Sequence, residues 1–106
     1  MTQPLEALEG VLLENGELAR FGEQRFNADR LVRYAVERLW IYAGNLADQH
    51  RREQGLDLGV EPWAELVATR NVYAHYTPGQ LSSPRVWHDT LNDLGRILQQ
   101  VRAARS

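Results

Sequence analysis

The chain has 106 residues, the size of a single domain with one modest core, and its 43% hydrophobic and 25% charged residues favour a folded globular protein over a disordered one. A formal net charge of −2 argues against a surface that attracts polyanions everywhere, and the lack of cysteine excludes disulfides and thiolate metal sites. With no apolar run near the roughly 20 residues that span a bilayer, and no signal peptide pattern at its start, residues 1–106 are expected to form one cytoplasmic domain without membrane contact.

The first of four predicted helices runs from about Pro4 to Arg20. Pro4 suits the first turn of a helix, and the leucines of this segment recur on one stripe. Gly16 weakens the second half of the helix. The following stretch "FGEQRF" (21–26) is predicted to be a bend.

The second helix has the strongest pattern, from Asn27 or Asp29 to about Gln54. Two neighbouring stripes give it a wide apolar face. A helix this long and this apolar needs more cover than three short neighbours provide, so the pattern predicts a homodimer. The two stripes are Leu31, Ala35, Leu39, Tyr42 and Leu46, and Val32, Val36, Trp40 and Ala43.

The last two helices follow the loop 55–62. The third is predicted to start near Glu61 with Pro62 in its first turn, and to end near residues 77–79, because Pro78 disfavours helical geometry in the residue before it. Ser83 is a predicted N-cap for the fourth helix, with Pro84 as its first residue. No segment alternates with period two, so we expect an all-α, antiparallel four-helix bundle. The predicted apolar stripes are Trp63, Leu66, Val67 and Ala74 on the third helix, and Trp87, Leu91, Leu94, Leu98 and Val101 on the fourth.

The end of the third helix, "RNVYAHYTPG" (70–79), concentrates groups that can do chemistry. Asn71 and His75 are four residues apart and share a helix face, and Arg70 is long enough to reach partway toward His75. An imidazole can take or give a proton near neutral pH, and a guanidinium can hold a phosphate while negative charge builds on it. RNA supplies its own nucleophile, the 2′-hydroxyl. These groups would therefore suffice for cleavage without a metal, leaving a 2′,3′-cyclic phosphate and a 5′-hydroxyl.

The simpler interpretation of the same residues is structural. A histidine near a helix C-terminus often only complements the helix dipole. No cofactor or metal site is predicted, because the other two histidines, His50 and His88, have no ligand partners at a recognised spacing. The three tryptophans lie on apolar stripes, which predicts core packing over base stacking.

The whole chain resembles a known family. "RNVYAHY" is similar to the Arg-x4-His motif of HEPN-domain ribonucleases and, more narrowly, to that of the HepT-like toxins, which reads Arg-Asn-x-x-x-His-x-Tyr. "FNADRLVRYAVERLWIYAGNLADQH" (26–50) resembles the long second helix of that group, and "VWHDTLNDLGRILQQV" (86–101) resembles its last helix. The resemblance covers about residues 5–102.

The resemblance implies an antiparallel helical bundle that dimerises, with the catalytic groups of both chains facing a shared groove. It implies a metal-independent endoribonuclease toxin, neutralised by a nucleotidyltransferase antitoxin that binds it and adds AMP to the motif tyrosine. Carried over by position, Arg70 stabilises the phosphate, His75 transfers protons and Asn71 helps to orient the site.

One position departs from the family's pattern. The family's tyrosine lies two residues after the histidine, where this chain has Thr77, and the tyrosine of this chain is Tyr76. One residue is about 100° of helix rotation, so three alternatives stay open for the AMP acceptor: Tyr76, Thr77 or neither. Tyr73, Arg51 and Arg52 are candidates for the RNA groove. Tyr73 fits a half-buried dimer contact equally well, and the two adjacent arginines also complement the dipole of the second helix.

A second function fits the same chain. The domain would then be a non-catalytic dimeric helical module that binds a nucleotidyltransferase or a nucleotide and keeps the motif as a relic. A ribonuclease toxin should arrest growth when expressed without its antitoxin, and such a module should not.

Overall fold

The computed structural model describes residues 4–77, 80 and 83–105. It contains the helices α1 (Pro4–Ala19), α2 (Gly22–Ala28), α3 (Arg30–Glu53), α4 (Trp63–His75) and α5 (Ser83–Arg105). No strand occurs among these residues, which confirms the all-α prediction. None of the described helices combines the length and the apolar character that crossing a membrane requires.

The contacts between helices settle two of their relative directions. α3 runs antiparallel to α4, because His50 packs on Trp63 while Asn45, earlier in α3, contacts Arg70, later in α4. The ring centroids of His50 and Trp63 are 4.6 Å apart, and burial there lowers the pKa of His50. α1 and α5 are also antiparallel, since Glu9 accepts hydrogen bonds from Arg102 and Arg105 while the Gly16 turn of α1 lies against Leu94.

The region predicted to be a bend is instead the short helix α2. Gly22 adopts a positive φ of 89°, which breaks the chain away from α1. The next six residues contain no proline or β-branched residue, so nothing prevents a helix from resuming. Phe26 lies in the core, with its ring centroid 5.3 Å from that of Trp87, and this burial gives the extra helix its tertiary support.

The ends of α3 follow the sequence signals. The Asp29 carboxylate accepts a hydrogen bond from the Leu31 N–H at 3.0 Å and caps the helix start, as one of the two predicted boundaries requires. The helix closes at Gln54, and Gly55 follows with a positive φ of 65°.

The core is built around Trp40 of α3. Its indole Nε1–H donates to Thr90 Oγ1 of α5 at 3.0 Å, so the one polar atom of the buried ring is satisfied. The core stripe of α3 is the predicted set Val32, Val36, Trp40 and Ala43, extended by Ala47.

Two predicted core stripes were partly wrong. On α5, Leu91 is exposed, and the buried residues are Val86, Thr90, Leu94, Ile97 and Val101. On α4, Ala74 is exposed and Tyr73 is buried in its place. In both helices the buried stripe lies one residue away from the predicted position over part of its length. The polar side chains buried there, Thr90 and Tyr73, both form hydrogen bonds inside the protein.

Candidate functional site

The motif occupies the last two turns of α4 and ends with the helix. His75 is the final helical residue, and Tyr76 is extended at φ −98° and ψ 150°. The helix therefore stops about two residues before the predicted position, and Pro78, on which that prediction rested, lies outside the described residues. Tyr76 and Thr77 are both exposed and outside the helix, so either hydroxyl can be reached from solvent.

Arg70 lies at the seam between α3 and α4, and its side chain is 23% exposed. Its Nε and Nη2 atoms donate to Asn71 Oδ1 at 3.1 and 3.0 Å, and Nη1 donates to Asn45 Oδ1 at 3.4 Å. The Asp48 carboxylate lies 3.7 Å from Nη1. A guanidinium has five N–H groups, so two remain beyond these hydrogen bonds to other described residues. The arginine is fixed in place and keeps donors for a ligand.

Gly44 leaves room for the side chain of Arg70 where α3 and α4 meet. A Cβ atom at residue 44 would lie 2.2 Å from the Cβ of Arg70 and 2.7 Å from the carbonyl oxygen of Leu66. Only glycine allows α3 and α4 to approach so closely at this point. The sequence analysis missed Gly44 as a site residue. The available signal was a lone glycine inside a strongly periodic helix, which often marks a close backbone approach.

His75 is exposed on the same helix face as Asn71, one turn further along. Its ring packs edge-on against Tyr76, with centroids 5.0 Å apart and an interplanar angle of 87°. Within the described residues no hydrogen bond or ion pair joins His75 to Arg70. The structure thus brings Arg70 and Asn71 into contact and leaves the imidazole of His75 exposed at the end of the same helix.

Tyr73 connects the motif to α5 through a hydrogen bond. Its hydroxyl donates to Asp89 Oδ2 at 2.8 Å, and burial followed by this hydrogen bond raises the pKa of the phenol. The same side chain lines a cavity of about 260 Å³ formed with residues of α3 and with the end of α4. These are Tyr34, Glu37, Arg38, Ile41, Ala74 and Tyr76.

Arg51 and Arg52, the other groove candidates, meet at Asp48. Arg51 donates to Asp48 Oδ1 from Nε at 3.2 Å and from Nη2 at 3.0 Å, and Arg52 Nη2 lies 3.0 Å from Oδ2. The hydrogen bonds from Arg51 hold the pKa of the Asp48 carboxyl below its ordinary value, with further help from the charges of Arg52 and Arg70. Asp48, which the motif does not include, therefore joins both arginines to the motif arginine.

A groove of about 520 Å³ runs between the end of α1 and α3. Arg38 lines both this groove and the smaller cavity at the motif, so the two are neighbours on one side of α3. The predicted stripe of α3 that begins with Leu31, here called the exposed stripe, lies on this side, because its members Ala35 and Leu39 line the groove. Leu31 itself is 68% exposed. The groove residues are Glu14, Glu17, Leu18, Phe21, Ala35, Arg38 and Leu39.

The described residues contain no group of three or more histidine, aspartate or glutamate side chains placed to hold a metal ion. Comparisons of the chain with protein-family models, with curated proteins and with solved structures found no match. The function must therefore be argued from the geometry of Arg70, Asn71 and His75 and from the residues that support them.

Proposed function

We propose that the chain is a metal-independent endoribonuclease toxin that works as a homodimer. The observation that carries the proposal is the state of Arg70, which is held by Asn71 and Asn45 and keeps two N–H groups outside those hydrogen bonds. The exposed imidazole of His75 lies five residues later on the same helix. A fixed guanidinium costs little reorganisation when negative charge develops on a bound phosphate. An exposed histidine can exchange its proton with substrate and solvent.

The proposed step is a transesterification within the RNA. The 2′-oxygen attacks the adjacent phosphorus and gives its proton to the neutral imidazole of His75. The bond between phosphorus and the 5′-oxygen breaks, and that oxygen takes a proton from the protonated His75 of the partner subunit. Arg70 holds the two non-bridging oxygens throughout. The products are a 2′,3′-cyclic phosphate and a 5′-hydroxyl, with no water consumed.

The all-helical fold is compatible with a HepT-like toxin. We infer that α1, α3, α4 and α5 form the antiparallel four-helix bundle of that family, with α2 added between the first two members. Both candidate AMP acceptors, Tyr76 and Thr77, are exposed where α4 has ended, so a nucleotidyltransferase antitoxin could reach either hydroxyl beside His75. Blocking this end of α4 with a nucleotide would cover the proposed site.

A direct assay tests the proposed activity. The purified chain, incubated with single-stranded RNA in excess EDTA, is expected to cut it and leave 2′,3′-cyclic phosphate ends, which mass spectrometry identifies. An oligonucleotide with 2′-deoxyribose at the cut positions should stay intact, because it lacks the nucleophile. Cleavage that needs a divalent metal, or products with 5′-phosphate ends, would contradict the mechanism. Complete inactivity would favour the non-catalytic module.

The dimer is expected to form through the exposed stripe of α3 and its groove. In sedimentation equilibrium the chain should behave as a dimer, and Leu31→Glu should shift it toward monomer by placing a charge in the interface. Because the Leu31 side chain is largely exposed within one chain, the substitution should leave the unfolding free energy of the monomer nearly unchanged. Leu91→Glu, at an exposed leucine of α5, is the matched control and should remain dimeric. A monomeric wild-type chain would contradict this arrangement.

A further inference from the structure

Arg51 and Arg52 are adjacent in sequence but differ in what surrounds them. The Arg51 side chain is 14% exposed, whereas that of Arg52 is 73% exposed. Besides its two hydrogen bonds to Asp48, Arg51 donates from Nη1 to the carbonyl oxygen of Leu56 at 3.0 Å. Arg51 is therefore engaged in closing the end of α3 against the loop that follows.

Arg52 has most of its guanidinium in solvent. Its guanidinium forms an ion pair with Asp48, from Nη2 to Oδ2 at 3.0 Å. The same oxygen lies 3.7 Å from Nη1 of Arg70. Nη2 of Arg52 and Nη1 of Arg70 are therefore no further apart than the sum of those distances, a separation comparable with the spacing of neighbouring phosphates on one RNA strand.

The local charge around Asp48 is the opposite of the overall charge. Three arginines converge on one carboxylate, which leaves this patch positive in a chain whose formal net charge is −2. Such a patch attracts a polyanion locally, although the whole surface does not. Arg52 is the most exposed of the three guanidiniums, and a guanidinium matches the geometry of a phosphate better than an ammonium does.

We propose that Arg52 binds the backbone phosphate next to the one that Arg70 holds during cleavage, and that Asp48 sets the spacing of the two guanidiniums. Arg51 takes no part in this second phosphate site. The ligand is the phosphodiester backbone of single-stranded RNA, read without regard to base. This inference rests on the proposed ribonuclease function, because it places a second contact along the same bound strand.

The experiment measures RNA binding in a background that cannot cut. The parent is the full chain carrying His75→Ala, and the probe is a fluorescein-labelled RNA of 12 uridines, followed by fluorescence anisotropy across a series of salt concentrations. Adding Arg52→Ala is expected to weaken binding by about 3–10-fold at low salt. It should also make the slope of log affinity against log salt shallower by about 0.7, the value for one lost phosphate contact on a single strand.

Two control variants separate a phosphate contact from a general loss of charge. Arg25→Ala removes one positive charge beside Asp29, at the opposite end of α3 from Arg52, and should leave the salt slope unchanged. Asp29 and Arg52 are roughly 35 Å apart along the helix at 1.5 Å per residue. Arg51→Ala should lower the melting temperature because its hydrogen bonds to Asp48 and Leu56 are lost, and it should change the salt slope by less than Arg52→Ala does.

The outcomes distinguish this inference from the function on which it rests. If the wild-type chain cuts RNA but Arg52→Ala keeps the parent's salt slope, the second phosphate site is wrong and the ribonuclease stands. The site is equally overturned if Arg25→Ala changes the slope as much as Arg52→Ala does. If the wild-type chain neither cuts nor binds the RNA, both proposals fail.

Discussion

Replacing His75 with alanine is expected to lower the rate of RNA cleavage by about 10²–10⁴-fold, the range that a positioned general acid or base usually contributes. The imidazole is exposed and packs against the ring of Tyr76, which is also exposed, so its removal opens no cavity in the core. The free energy of unfolding should therefore stay within about 0.5 kcal/mol of the wild-type value. Single-turnover cleavage of a labelled RNA and thermal unfolding followed by circular dichroism measure the two quantities.

His88 provides the matched control for this prediction. It lies on α5 with its side chain 72% exposed, and its ring nitrogen is 4.0 Å from the carboxylate of Asp89. His88→Ala removes the same group from the same kind of surface, so it should leave both cleavage and stability unchanged. If His75→Ala cuts RNA at the wild-type rate, the histidine has only a structural role at the helix end and the ribonuclease mechanism is wrong. Equal losses in the two variants would exclude a specific role for His75.

The long helices could be predicted from the sequence because their signals are local. Asp29 caps α3 through its own side chain, and Gly55 follows the helix end with a positive φ, so both boundaries are set within a few residues of where they occur. α2 could not be predicted in the same way. A helix of seven residues has little stability alone, and α2 depends on the burial of Phe26 against Trp87, which is 61 positions later in the chain.

The error on α5 has a related cause. The hydrophobic pattern assigned Leu91 to the core, but the structure buries Thr90 instead. Thr90 accepts a hydrogen bond from the Trp40 indole and donates one to the carbonyl oxygen of Val86 at 2.9 Å, so its hydroxyl is fully used inside the protein. A pattern based on hydropathy places threonine at the surface unless the position of its distant partner is known.

In the candidate site, too, the residues that share one helix could be predicted from the sequence, and those that contact it from another helix could not. The motif residues Arg70, Asn71 and His75 lie on one helix, where spacing alone indicates which side chains are neighbours. Asn45 and Asp48 reach Arg70 from α3, 25 and 22 positions earlier in the chain. Their roles depend on the register between two antiparallel helices, which no local pattern in the sequence specifies.

Gly44→Ala is expected to destabilise the protein and to remove its activity by displacing Arg70. In an ordinary helix interior the same change stabilises by about 0.5–1 kcal/mol, because glycine loses more backbone entropy on folding. At this position the added methyl group would lie 2.2 Å from the Cβ of Arg70 and 2.7 Å from a backbone carbonyl oxygen of α4, so the two helices must move apart. Overpacking of this kind costs about 1–3 kcal/mol, which corresponds to a fall in melting temperature of roughly 4–8 °C for each kcal/mol in a domain of this size.

Two other helical glycines provide the controls. Gly10 of α1 and Gly95 of α5 have no atom within 4 Å of an added Cβ, so Gly10→Ala and Gly95→Ala should raise the melting temperature or leave it unchanged, with cleavage intact. Measured well below the melting temperature, folded Gly44→Ala should still lose most of its cleavage, because moving α4 separates Arg70 from Asn45 and Asp48. If Gly44→Ala instead stabilises the chain as the controls do, α3 and α4 are not in close contact here. The contacts of Arg70 with Asn45 and Asp48 would then be wrong as well. If it destabilises the chain but the folded fraction cuts RNA at the wild-type rate, the helix contact is real and the position of Arg70 is not what limits cleavage.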